Sequence, residues 1–200
     1  MNRTEPLPLA VSLVLAVGLM GWIVWSQRPE PPPVEEVRAA PAPSPAEAPP
    51  EPDVPEPLPI DGDRAAALRA AADEAPDDVQ SRVDLGNLYH EARRFEDAAP
   101  WFEAALALDP DLVEVSTDLG VAYFYQGSVD RALAQFDRSL EIDPTHAGTL
   151  LNVGIVRAFG KEDFAGAIEV WEELQRLAPD TLEAFAAADA VERLRAAAHP

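Results

Sequence analysis

The feature that most constrains this chain is a skeleton of residues that returns every 34 positions. Leu85-Gly86 leads to Tyr89, Ala98, Phe102 and Pro110, and Leu119-Gly120 leads at the same offsets to Tyr123, Ala132, Phe136 and Pro144. A third copy reads Val153-Gly154, Arg157, Ala167, Trp171 and Pro179, with one extra residue between Gly160 and Phe164. A period of this length marks stacked units, each too small to bury its own apolar face and completed by its neighbours. The middle copy, Val113 to Pro144, has a neighbour on both sides.

The spacing has a mechanical reason. Apolar residues three and four apart share one face of a helix, so each unit reads as two antiparallel helices. Gly86, Gly120 and Gly154 let the partner helix approach closely, and Ala98, Ala132 and Ala167 do the same from the second helix. Leu85, Tyr89, Phe102 and their equivalents fill the space between. Each proline ends a second helix, because the residue before it is pushed out of helical conformation. Leu-Gly, Tyr, Ala, Phe and Pro at these offsets resemble the tetratricopeptide repeat family. The resemblance implies an all-α solenoid of antiparallel helix pairs, with repeats at 79–112, 113–146 and 147–180.

In the same register, Arg64 to Ala75 matches the second helix of a preceding unit (63–75), with Leu68 where Phe102 stands and Asp61 or Asp63 as its cap. Thr181 to Ala197 reads as a closing helix (181–197) that covers the last apolar face with Leu182, Phe185, Val191 and Leu194. A domain over 61–200 with eight helices and no strand is therefore expected. The departures from the family pattern are Arg82, Ser116 and Leu150 at its tryptophan position, and Arg157 where tyrosine is usual. None threatens the fold. Arg157 and the enlarged Gly-Lys-Glu-Asp-Phe turn read as drift in a terminal repeat, with a functional mark as the alternative.

Composition decides what lies outside the repeats. Of 21 prolines, thirteen fall between Pro29 and Pro59, a segment that has almost nothing to bury. Residues 28–60 are therefore expected to be a disordered Pro/Ala/Glu-rich spacer of polyproline II character. Before it, Pro6 to Gln27 holds no charge, and Leu7 to Trp25 is long enough to cross a bilayer of about 30 Å. Residues 1–27 are expected to be an N-terminal anchor that meets the lipid bilayer through residues 7–25, with Trp22 and Trp25 at the interface. A cleaved signal peptide is the alternative, disfavoured by the length of the run and its bulky Gly-Trp-Ile-Val-Trp end. The expected location is a bacterial inner membrane, single-pass, with the domain on the periplasmic side.

The net charge of -21 makes nucleic acid a poor partner, since phosphate binding needs a basic face. A basic or amphipathic protein or peptide suits the field better. The resemblance implies that the first helices of the units line a concave groove where such a ligand binds. Carried over position by position, the inward sets are Val83, Thr117 and Leu151; Asp84, Asp118 and Asn152; and Asn87, Val121 and Ile155. One turn on come Phe124 and Phe159, beside His90. In the alternative, the two aspartates are solvated helix positions and the phenylalanines are core. The lysines of the carboxylate-clamp subtype are absent, so capture of a terminal carboxylate is not expected. Phe124→Ala with Phe159→Ala is expected to weaken partner capture and leave helicity intact.

Enzyme chemistry finds no foothold, and neither cofactor nor metal is expected. His90, His146 and His199 lie far apart, His90-Glu91 lacks a second histidine at zinc spacing, and no phosphate loop or nucleophile elbow occurs. No cysteine is present. The expected function is a membrane-anchored scaffold or adaptor for a protein partner. Two alternatives stand beside it. One is an assembly factor that holds an unfolded client and resembles the repeat-bearing components of cytochrome c maturation. The other is a self-assembling structural module.

Overall fold

Asp61 opens the first helix, its Oδ1 accepting from the Arg64 amide at 3.0 Å, and Asp78 caps the second by accepting from Gln80 N–H, also at 3.0 Å. The computed structural model describes residues 56–198, and from Gly62 onward every element is a helix. The helices are α1 Gly62–Glu74, α2 Val79–Glu91, α3 Phe95–Leu108, α4 Val113–Tyr125, α5 Val129–Ile142, α6 Ala147–Ile155, α7 Phe164–Leu177 and α8 Leu182–Ala198. These are eight helices and no strand among the described residues, a stack of antiparallel helix pairs as the repeat implies. Each of α2, α4 and α6 packs against the helix that follows it.

The pairs close through glycine. Gly86 faces the Phe102 ring, Gly120 the Phe136 ring and Gly154 the Trp171 indole, so closely that a Cβ at any of them would overlap the aromatic atoms. Phe102, Phe136 and Trp171 are fully buried, as are Ala98, Ala132 and Ala167. Trp171 Nε1 donates to the Leu151 carbonyl at 3.0 Å, which satisfies the polar edge of the indole in an apolar setting. Each first helix turns into its partner through one left-handed residue: Arg93 (φ 57°), Gly127 (φ 74°) and Glu162 (φ 55°).

The three substitutions at the family's tryptophan position solve one packing problem in three ways. Arg82 reaches back to the carbonyls of Asp78 and Ala72, at 2.6 and 3.3 Å, and ties α2 to the end of α1. Ser116 lies in a buried polar cluster, where its Oγ accepts from Gln135 Nε2 at 2.7 Å and Ser139 Oγ at 2.8 Å. Leu150 is simply buried. The cluster around Ser116 is internally bonded, so its burial leaves no orphaned donor there.

Four expectations need correction. The extra residue of the third copy does not lengthen the turn before Phe164; it is absorbed one turn earlier, in a π-helical turn over Val156–Gly160 closed by Lys161 N–H to Val156 C=O at 3.2 Å. Arg157 faces that turn, 3.8 Å from Asp163, whose carboxylate accepts from Gly166 N–H and caps α7. It serves the turn. The spacer does not run to Ile60: Leu58 N–H, the one amide donor between Pro57 and Pro59, donates to the Ala92 carbonyl at 2.8 Å, and Ile60 packs on the core.

The closing helix is likewise rotated from its expected pose. Leu182 and Phe185 are 67% and 63% exposed, and the buried face is Ala184, Ala187, Ala190 and Val191. Alanines let α8 settle close against α6 and α7, where bulky side chains would hold it off. The expected anchor at 7–25 and the spacer from 28 to 55 lie outside the described residues. Among the described residues, no helix is long and apolar enough to cross a membrane.

Candidate functional site

The first helices of the three units, α2, α4 and α6, stand side by side. Each turns its second face to its own partner helix, which leaves a third face open. On α4 that open stripe is Glu114, Asp118, Val121 and Tyr125, spaced i, i+4, i+7 and i+11, and all of them keep partial or full exposure. The same positions one period earlier are Gln80, Asp84, Asn87 and Glu91, and one period later Gly148, Asn152, Ile155 and Phe159. Two of the three sets expected from sequence thus lie on this face: Asp84, Asp118 and Asn152, and Asn87, Val121 and Ile155.

In the third set, Thr117 is 4% exposed and Leu151 1%, so both lie below the stripe, where neighbouring first helices pack; Val83 is half-buried and packs on the core, as Val121 does. The pairing of Phe124 with Phe159 also dissolves: Phe124 shares its position with His90 and Ala158, is half-buried on the core and lies beside Gly160. Phe159, in the π-helical turn, is 38% exposed and takes the row of Tyr125 and Glu91. Sequence reasoning missed Glu114 and Tyr125. The helical step of 100° per residue, applied from Asp118 in both directions, finds them.

A chain of hydrogen bonds joins the second and third units beneath the stripe. Thr149 N–H donates to His146 Nδ1 at 3.3 Å, which leaves the Nε2 hydrogen to bond Glu114 at 3.0 Å. Thr149 Oγ1 in turn meets Thr117 Oγ1 at 2.6 Å, and Thr117 donates to the Val113 carbonyl at 2.9 Å. Thr117 therefore fixes the spacing of α4 and α6. Farther along, Tyr125 stacks on Phe95 at 4.4 Å between centroids, which anchors the last open residue of α4 to α3.

Two titratable groups stand out. Asp118 is half-buried, and among the described residues nothing donates to its carboxylate; burial, reinforced by the nearby Glu114 charge, pushes it up to about 7. Asp84, its counterpart, accepts from Gln80 Nε2 at 2.8 Å. His90 is the second: its Nε2 is buried without a partner among the described residues, its ring lies edge-on to Phe95 and Phe102, and desolvation lowers it to about 4. Its folded value lies below the ordinary 6.5, so this group's stability contribution is complete above pH 6.5 and is lost as pH falls towards 4. His90→Leu is expected to remove on the order of 1 kcal/mol of that acid sensitivity. Chemical denaturation at pH 7 and pH 5 measures it; an unchanged difference between the two would contradict a neutral buried ring.

Among the described residues, no cluster of three His, Asp or Glu side chains has metal-binding geometry. The arrangement offers acceptors, apolar surface and one carboxyl without a donor.

Comparison with known proteins agrees with this architecture. Two family models described as tetratricopeptide repeat match the chain, one over residues 61–113 and one over 90–151. No curated protein matches the sequence. Among solved structures, the chain is similar to MamA at 18% identity, with 67% of this chain and 86% of that one covered and a TM-score of 0.56. It is also similar to YrrB, described as a tetratricopeptide protein with an unusual peptide-binding site, at 25% identity over 62% of this chain and 64% of that one (TM-score 0.57). The first tetratricopeptide domain of human RPAP3 is similar at 18% identity, covering 60% and 91% of the two chains (TM-score 0.54).

Proposed function

We propose that these tetratricopeptide repeats form a scaffold whose open face, carried by α2, α4 and α6, binds a segment of a protein partner and performs no catalysis itself. The observation that carries the reading is the stripe itself. At regular spacing along three adjacent helices and the turn after the last, it leaves Val121, Ile155 and Phe159 at least partly uncovered beside a carboxyl that has no donor among the described residues. Apolar surface supplies affinity, and regularly placed polar groups supply register. The likeness to YrrB, a tetratricopeptide protein with an unusual peptide-binding site, supports a peptide-binding use of the repeats.

The sequence supports a finer reading. The uncharged run from Leu7 to Trp25 tethers the scaffold to a bacterial inner membrane, the proline-rich spacer holds it away from the lipid, and the repeats work on the periplasmic side. A topology reporter fused after Pro200 tests this; a cytoplasmic signal would reverse it.

The binding reading is tested by cross-linking and capture from intact membranes, comparing the natural chain with Val121→Thr combined with Phe159→Ser. Capture of the specific partner is expected to fall by about tenfold or more, since the pair removes apolar contact at the centre of the face. Circular dichroism should stay unchanged. Undiminished capture by the folded variant would rule this face out.

A further inference from the structure

The open face changes character along the stack in one direction. Where α2 lines it, the face is wholly polar and carries Asp84 and Glu91. On α4, Asp118 stands beside Val121, and on α6 the stripe holds no charge and offers Ile155 and Phe159. One end is acidic and the other apolar.

Asp118 sits where the two characters meet. Its neighbours on the acidic side are already engaged: Asp84 holds the Gln80 amide and Glu114 the His146 ring. Among the described residues, Asp118 has neither a cation nor a donor, although it is half-buried. A carboxylate partly withdrawn from water and left without a donor gains when a donor arrives, and a cationic donor satisfies it best.

Resting on the scaffold reading above, we infer that the face takes one partner segment of defined polarity. Its lysine or arginine side chains lie along α2 and α4, with one cation seated on Asp118. Its leucine, isoleucine or phenylalanine side chains lie along α6 and the turn that follows it, over Ile155 and Phe159. A uniformly apolar segment leaves the Asp118 carboxylate unpaired, a uniformly basic one gains nothing at Phe159, and an acidic one meets like charge along half its length. The polarity of the face thus selects both composition and orientation.

A displayed random peptide library, selected on the immobilised full chain, tests this. Enriched peptides are expected to carry Lys or Arg in one half and Leu, Ile or Phe in the other. A synthetic enriched peptide should bind Asp118→Asn about tenfold more weakly, and replacing its cation with norleucine should erase that difference. Phe159→Ser should weaken both peptides equally. Enrichment of purely apolar or acidic peptides, or an Asp118→Asn effect that survives loss of the cation, would overturn the polarity while leaving the scaffold reading in place. No enrichment over a chain carrying Val121→Thr and Phe159→Ser would overturn both.

Discussion

Adding a single methyl group at Gly154 is expected to lower stability by about 3 kcal/mol or more, one of the largest effects available to any small substitution in this chain. The new Cβ of Gly154→Ala would overlap the Trp171 indole. That ring cannot withdraw cheaply, because it is fully buried and its Nε1 is bonded to the Leu151 carbonyl. Either the bond breaks inside an apolar region or α6 and α7 move apart, and both outcomes expose core. Stacked repeats hold mainly their neighbours, so α6, α7 and α8 should melt first, ahead of α2 to α5. Thermal denaturation followed by circular dichroism and by tryptophan fluorescence reads this out. Adding Trp171→Leu should recover part of the loss, a coupling expected only of residues in contact. Gly62→Ala is the control, since that position has open space around it. Equal melting of Gly154→Ala and the natural chain would mean that the glycine contact does not hold the third pair together.

The second large effect has the opposite sign. Asp118→Asn is expected to stabilise the free protein at pH 8 by on the order of 2 kcal/mol. The carboxyl is pushed up to about 7 from an ordinary 3.8, chiefly by burial and further by Glu114. Between those two values the folded chain binds more protons than the unfolded one. The stability contributed by the protonated group is therefore fully present below pH 3.8 and is lost as pH rises through 7. Above pH 7 the folded protein carries an unmatched charge that asparagine does not have. Urea denaturation of the two proteins at pH 5 and pH 8 should show a gap that widens with pH. A gap that is constant, or that closes at pH 8, would contradict a carboxyl whose burial raises its pKa. A residue that weakens the free protein at the centre of an open face is consistent with a ligand that relieves it, and the same variant distinguishes a structural from a recognition role.

The pairing of helices was legible because its determinants repeat in a fixed local register. Gly86, Gly120 and Gly154 announce close approach, and Phe102, Phe136 and Trp171 stand at nearly fixed distance from them along the chain. The candidate site was legible in part. Asp84, Asp118 and Asn152 were found because they share an exact period, but periodicity alone does not say which flank of a helix faces its neighbour. Thr117 was expected in the groove and is instead bonded to Thr149 beneath it. Glu114 and Tyr125, unnoticed in the sequence, lie on the surface that remains. Phe159 was expected on that surface and is exposed there, but the π-helical turn that carries it was not foreseen.

What the sequence by itself determined is therefore the unit: two helices, their boundaries, and the glycine, alanine and aromatic contacts within and between neighbouring copies. These follow from helical periodicity and turn chemistry, which act over a few residues. What only the tertiary structure decided is the rotation of each helix against its neighbours. That rotation depends on the summed fit of side chains from three helices at once. It buried Leu151, turned Leu182 and Phe185 outward while seating α8 on its alanines, and left the Asp118 carboxyl half-buried and without a donor.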